Sequence, residues 1–104
     1  MALRVARMFL KVYRVQNEVM VAVCDEKYLG QEFAEGDRQL KVNERFYGRD
    51  PADCAEVAAA LREATIANLV GEESVACAIG AGVIDSSHVI FVQDVPHAQM
   101  VCMP

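Results

Sequence analysis

The sequence predicts a single α+β domain in which a mainly antiparallel sheet of four or five strands has two helices packed together on one face. A length of 104 residues fits one domain, and an apolar share of 54% is enough for a well-packed core. Segments with the alternation of strands lie towards both ends of the chain, whereas residues 51–81 have the spacing of helices. Strands on either side of a helical middle are typical of this fold class.

The first two strands form a predicted hairpin. Residues 8–15 alternate between the two faces of a strand, residues 16–17 are turn-prone, and residues 19–24 are an uninterrupted apolar run. The second strand is therefore expected at the centre of the sheet, because both of its faces are apolar. Residues 1–7 precede the hairpin and are predicted to be a flexible, dispensable extension of a domain that spans residues 8–104.

Residues 25–49 are predicted to contain shorter elements. Asp25 and Gly30 bound one helical turn, and residues 39–43 alternate as a third strand with one exposed face. Phe46 and Tyr47 lie in the loop that follows. Two adjacent rings do not easily point inward together, so we expect one to cap the sheet while the other meets solvent or a partner.

A long apolar helix is predicted from Asp50, the N-cap, to Gly71, the stop, with Pro51 at the first helical position. Helical spacing places Thr65 and Asn68 on the face that points to the core. These polar residues have two interpretations. Either the Asn68 amide satisfies backbone groups near the helix end, or Thr65 and Asn68 present hydrogen-bonding groups to a ligand or partner.

The C-terminal third is predicted to return to strands after a second helix. That helix covers residues 72–81, and Gly82 ends it. Residues 88–92 then form a strand and residues 93–94 a turn. Residues 95–101 are expected to be extended, and Pro96 indicates an edge strand or a loop across the sheet.

The charge is unevenly distributed along the chain. The net charge is −5, yet residues 1–49 carry nine basic and seven acidic side chains, while residues 50–104 carry one basic and eight acidic. The overall charge opposes loose nucleic-acid binding, but the N-terminal half could form a basic patch around Lys11 and Arg14. The alternative is an ordinary solvated surface.

The cysteines and the N-terminus predict a cytoplasmic protein without metal. Cys24, Cys54, Cys77 and Cys102 include no C-x-x-C pair and no histidine at metal spacing, so buried free thiols are expected. No apolar run is long enough to cross a membrane, and the first residues lack the pattern of a signal peptide.

The sequence contains no recognisable catalytic or cofactor motif. Gly80 and Gly82 lack the lysine and hydroxyl of a P-loop, and Glu72 and Glu73 disfavour an anion at Gly71. We therefore assign no catalytic residue and no cofactor, and leave open whether the protein is an enzyme.

His97 is the more informative of the two histidines, because Pro96 restrains the backbone beside it. It could act as a general base or as a hydrogen-bond donor to a partner. The structural interpretation is that the ring is tied to a backbone carbonyl.

Residues 9–13, 21–25, 29–30 and 46–48, and more specifically residues 63–72 and 95–99, resemble an archaeal family, domain of unknown function 424. The resemblance covers about residues 8–101, and members of the family start near Met8. It implies no catalytic residue, because no activity is established for the family. Its genes are often found beside translation genes, which implies an ancillary role near RNA or the ribosome.

Two functional hypotheses follow. The first is a non-catalytic binding module for RNA or a translation-related protein, with Lys11, Arg14 and Tyr47 on its binding surface. A flat basic or aromatic face would favour it.

The second is a small-molecule-binding protein or small enzyme whose site joins Thr65 and Asn68 to His97 and Gln99. A cleft that contains both stretches would favour it. The high apolar share also suggests that the protein can form homo-oligomers.

Overall fold

The computed structural model describes residues 7–102 of the chain. The predicted extension at residues 1–7 lies outside this range except for Arg7. The strands and α-helices in chain order are β1 Met8–Val15, β2 Glu18–Asp25, β3 Glu32–Glu35, β4 Arg38–Lys41, α1 Glu44–Tyr47, β5 Pro51–Ala52, α2 Cys54–Arg62, β6 Ile66–Val70, α3 Glu72–Gly80, β7 Ile90–Val92 and β8 Val95–Val101.

The main sheet of the described residues has six strands in the order β5-β1-β2-β6-β8-β7, and β3 pairs with β4 in a separate hairpin. The predicted hairpin of β1 and β2 is present, with Val15 opposite Glu18. The predicted α+β domain is therefore confirmed. The predicted count of four or five strands is wrong, because the sheet has six, and the parallel pairing of β2 with β6 makes the sheet mixed.

The largest error of the sequence interpretation concerns residues 63–71. Helix α2 ends at Arg62, and residues 66–70 form β6 between β2 and β8. Short apolar runs fit helical and strand spacing equally well, and here the β-branched residues Ile66 and Val70 suit a buried strand. Thr65 and Asn68 therefore do not share a helix face.

The predicted helix start and stop are also wrong. Asp53, not Asp50, is the N-cap of α2: its Oδ1 accepts from Glu56 N at 2.9 Å, and Glu56 Oε1 accepts from Asp53 N at 3.2 Å. This reciprocal capping box satisfies two amides that a helix start leaves unpaired. Pro51 belongs to the edge strand β5, and Gly71 is the N-cap residue that precedes α3 instead of the residue that ends α2.

One face of the main sheet, here called the helix face, is covered by α2 and α3. Val57 and Leu61 of α2 and Val75 of α3 form one buried cluster with sheet residues such as Val23 and Leu69. The prediction of two helices packed together on one face is confirmed. None of the helices in the described residues is long and apolar enough to cross a membrane.

The opposite face, here called the hairpin face, is only partly covered. The β3–β4 hairpin and α1 supply Leu40 and Tyr47 to a second buried cluster, which includes Phe9, Cys24 and Val70 of the sheet. Beyond this cluster the same face becomes accessible, and Val15 and Val101 are 64% and 65% exposed at its far end.

β8 lies inside the sheet, between β6 and β7, so the edge strand or crossing loop predicted from Pro96 is wrong. The β6–β8 ladder ends at Val70 opposite His97, one residue short of Pro96. The Pro96 carbonyl still accepts from Gly71 N at 2.9 Å. A proline is tolerated there because its missing N–H falls where the ladder with β6 has ended.

The cysteines differ from the prediction of free thiols. Cys54 of α2 and Cys77 of α3 form a disulfide, with their Cα atoms 5.8 Å apart. The packing of α2 against α3 brings the two residues together, which spacing along the sequence does not indicate. Cys24 is a buried free thiol as predicted, whereas the free thiol of Cys102 is exposed.

Candidate functional site

Strands β6 and β8 place Asn68 and Gln99 opposite each other on the hairpin face. Their side chains are joined, since Gln99 Nε2 donates to Asn68 Oδ1 at 2.7 Å. Asn68 is half-buried and Gln99 is exposed. Lys11 and Ala22 continue the same row across β1 and β2.

The Asn68–Gln99 amide pair keeps unused hydrogen-bonding capacity. A primary amide offers two N–H donors and a carbonyl oxygen, and one bond between two such groups leaves an NH2 group on one and an oxygen on the other. Among residues 7–102, Asn68 Nδ2 and Gln99 Oε1 have no hydrogen-bond partner. The pair can therefore bind a ligand edge that presents an acceptor beside a donor.

His97 lies on the same face as the amide pair, two residues before Gln99 on β8. Its Nδ1 is 2.9 Å from the Leu69 carbonyl oxygen. A carbonyl only accepts, so Nδ1 carries the proton of this hydrogen bond, and Nε2 is the nitrogen left for other contacts. The structural contact expected for His97 is thus present, and it fixes the ring beside the amide pair.

Thr65 does not join this group. Its Oγ1 accepts from Val19 N at 2.9 Å and donates to Glu18 Oε2 at 2.7 Å. The hydroxyl therefore ties the start of β6 to β2. Of the predicted set of Thr65, Asn68, His97 and Gln99, the fold brings together only the last three.

Helix α1 forms one wall beside the open part of the hairpin face. The Tyr13 ring stacks on Phe46, with centroids 5.8 Å apart and planes 19° apart, and its hydroxyl donates to the Phe46 carbonyl at 2.6 Å. Lys11 Nζ donates to the Arg45 carbonyl at 3.1 Å. Together with Asn43 these residues line a shallow cleft of about 340 Å³.

The predicted basic and aromatic face around Lys11, Arg14 and Tyr47 does not form as one surface. Lys11 and Arg14 alternate to opposite faces of β1, and Arg14 pairs with Glu63 at 3.6 Å. Tyr47 is 4% exposed, and its burial raises the pKa of the hydroxyl above the usual value. Of the adjacent aromatics, Tyr47 caps the sheet, whereas Phe46 is half-buried beside the cleft.

Asp25 stands at the start of the predicted helical turn, which is a 3-10 turn at Glu26–Tyr28, but its side chain makes no capping hydrogen bond there. Its carboxyl group instead accepts from the Glu73 and Ser74 amides of α3 at 3.1 and 2.8 Å, and from Ser74 Oγ at 2.7 Å. Gly71 lies against it, with φ +111°, and a Cβ at Gly71 would be 2.2 Å from Asp25 Cγ. The start of α3, where a glycine loop can hold an anion, is thus already filled.

The adjacent thiol of Cys24 is poorly suited to act as a nucleophile, which requires the thiolate. Burial, with a smaller contribution from Asp25, raises the pKa of Cys24 to about 12. Among the described residues, no three His, Cys, Asp or Glu side chains are grouped as a metal site requires. The hairpin face presents hydrogen-bonding groups at Asn68 and Gln99 and stacked rings at Tyr13 and Phe46.

The comparisons with known proteins agree with the fold. A structure of an uncharacterized conserved protein from Methanopyrus kandleri superposes with a TM-score of 0.75 at 25% identity, covering 95% of this chain and 96% of the other. No curated protein sequence matches the chain. The model of one family, described as protein of unknown function (DUF424), matches residues 13–103. The chain therefore belongs to the family of domain of unknown function 424.

Proposed function

We propose that the protein is a non-catalytic binding module that holds single-stranded RNA on the open part of its hairpin face, in the cytoplasm and beside the translation machinery. The observation that carries the proposal is the amide pair of Asn68 and Gln99, which has unused hydrogen-bonding groups on an uncovered sheet surface. The link to translation rests on the family resemblance alone.

The surroundings of the amide pair suit an unpaired base. Single-stranded RNA is recognised by stacking on aromatic rings and by hydrogen bonds to base edges, often on the face of a sheet. Tyr13 and Phe46 supply the rings at the α1 wall, and Asn68 and Gln99 supply an amide N–H and oxygen on the sheet. A duplex hides its base edges, so we expect single strands to bind better than duplexes.

Charge limits the expected affinity. Several cations on the surface are neutralised by carboxylates, as in the pairs of Arg14 with Glu63 and Arg49 with Glu44. Lys11 and Arg45 are the cations nearest the cleft. Two phosphate contacts correspond to a log–log salt slope of about −1.4, far shallower than that of a protein that binds nucleic acid mainly by charge.

A salt titration tests the proposal with a control on the same strand. Lys11→Met keeps the aliphatic stem and removes the charge, and it should reduce the slope to about −0.7. Arg14→Met makes the same change on the helix face of β1 and should leave the slope unaltered. Equal effects of the two substitutions, or no RNA binding at low salt, would refute the proposed surface.

The stacking contribution is tested separately. Phe46→Leu should weaken RNA binding by about 1–3 kcal/mol, the usual contribution of one base stacked on one ring. The salt slope should not change, because stacking releases no counterions. A change in slope without loss of affinity would mean that Phe46 only positions α1.

One observation favours a second candidate, a small-molecule site: Asn68, His97 and Gln99 share one face. A metabolite screen read by melting temperature distinguishes the two. If no RNA binds, and a metabolite raises the melting temperature in a way that His97→Ala abolishes, then the small-molecule hypothesis replaces the RNA hypothesis.

A further inference from the structure

We propose that the Cys54–Cys77 disulfide is a thiol-exchange site, at which a low-molecular-weight thiol forms a mixed disulfide with Cys54. The bond joins α2 to α3 on the helix face, away from the open part of the hairpin face. The proposal is therefore independent of the proposed RNA binding.

The two halves of the disulfide differ in access. Cys54 is the first residue of α2 and is exposed, whereas Cys77 lies within α3 and is 5% exposed. Both residues line a surface cleft of about 360 Å³, bordered by Arg7, Asp53 and Glu73. A small thiol that enters this cleft meets the Cys54 sulfur first, while the packing of α3 protects Cys77.

The exchange balances with two equivalents of thiol. The first thiolate attacks Cys54 Sγ, the disulfide breaks, and Cys77 leaves as a thiolate that takes up a proton. The second thiolate attacks the outer sulfur of the mixed disulfide, which releases a small disulfide and leaves Cys54 as a thiol. The two thiols supply the two electrons, and their protons end on Cys54 and Cys77.

The fold already provides a hydrogen-bond acceptor for the Cys77 thiol that reduction would form. Cys77 Sγ lies 3.1 Å from the Cys54 carbonyl oxygen, so the thiol formed there has an acceptor within the helix layer. Because Asp25 and the Asp53–Glu56 capping box hold both helix starts without the disulfide, we expect the reduced protein to remain folded.

The experiment starts from Cys102→Ser, which removes the other exposed thiol. The folded protein is incubated with millimolar glutathione, quenched with acid and mapped by mass spectrometry. The expected adduct is glutathione on Cys54, accompanied by a melting temperature lower by roughly 10–20 °C once reduction is complete. Cys24 is the internal control, since it is buried with a pKa raised to about 12, and should stay unmodified.

Two further variants measure the asymmetry directly. With glutathione disulfide, Cys54 in a Cys77→Ser, Cys102→Ser protein should react at least about tenfold faster than Cys77 in a Cys54→Ser, Cys102→Ser protein, because Cys54 is exposed and Cys77 is buried. Equal rates, an adduct on Cys77, or a disulfide that glutathione opens only in denaturant would overturn the proposal. The mapping on Cys102→Ser decides the question even if either further variant fails to fold.

Discussion

Asp25 and Asn68 are polar residues on the neighbouring central strands β2 and β6, and they differ in how fully their hydrogen-bonding capacity is used. Asp25 is 1% exposed, and its two oxygens accept three hydrogen bonds from the start of α3. Asn68 forms one bond, to Gln99, on a face that solvent reaches. The proposed function depends on this difference: the hydrogen-bonding capacity of Asp25 is filled within the fold, whereas Asn68, the proposed binding residue, keeps capacity for a ligand.

The largest loss of stability is expected at Gly71, which lies against Asp25. Gly71→Ala places a Cβ 2.2 Å from Asp25 Cγ, on a backbone with φ +111° that side chains rarely adopt. The substitution should destabilise the protein by about 4 kcal/mol or more, measured by urea unfolding, because the start of α3 must move. Gly82→Ala is the control, since its φ is +78° but nothing lies within 4 Å. Similar losses for both variants would mean that backbone conformation, not contact with Asp25, dominates.

A buried leucine in α2 shows how much apolar packing contributes to the free energy of unfolding. Leu61 of α2 is 1% exposed within the cluster between helices and sheet. Leu61→Ala should lower the free energy of unfolding by about 2–5 kcal/mol, through lost burial and the cavity left behind. A loss near zero in thermal or urea unfolding would contradict the packing of α2 on the sheet.

Asp25→Asn tests whether the carboxyl group is needed or only its shape. The amide retains one acceptor oxygen but directs an NH2 group at an α3 amide N–H, so two donors face each other. We expect a loss of about 2 kcal/mol in urea unfolding, with RNA affinity unchanged. If the variant binds RNA more weakly under conditions in which it is fully folded, then the Asp25 region and the Asn68–Gln99 amide pair are coupled.

The smallest effect on stability is expected at Asn68. Asn68→Ala removes one solvent-accessible hydrogen bond and should cost less than about 1 kcal/mol of unfolding free energy. The loss in RNA-binding free energy should be larger than the loss in unfolding free energy. Gln99→Ala is the matched partner, and the double variant should lose no more affinity than either single variant if the two amides act as one unit. A large stability loss with intact binding would make Asn68 structural.

The strands with clear periodicity could be predicted from the sequence, and the middle of the chain could not. Residues 8–15 alternate strictly, so the faces of Lys11 and Tyr13 follow from the sequence. Residues 63–71 are ambiguous because a short apolar run fits either element, and only the ladders with β2 and β8 decide for a strand. The start of α2 could have been predicted, because Asp53 and Glu56 have the spacing of a capping box, which is a stronger helix-start signal than Asp50 followed by proline.

The candidate site was predicted in composition more than in arrangement. Asn68, His97 and Gln99 stood out as polar residues in apolar stretches, and the β6–β8 register brings them onto one face. The loss of Thr65 from the group and the burial of Tyr47 depend on contacts with β2 and the β3–β4 hairpin. The role of Asp25 is equally non-local, since its partners lie on α3. Such pairings have no periodic signal in one sequence.

The parallel ladder between β2 and β6 also governs how the chain can fold. The β1–β2 hairpin closes through a two-residue turn and can form from local contacts, whereas Met20 and Ile66 must meet across the intervening β3, β4, α1, β5 and α2. Closing so long a loop costs chain entropy before any ladder contact repays it. We therefore expect the centre of the sheet, although it is the most buried part of the native protein, to be the last part to form. In stopped-flow refolding, substitutions in β6 should chiefly accelerate unfolding, while those in the β1–β2 turn should slow folding.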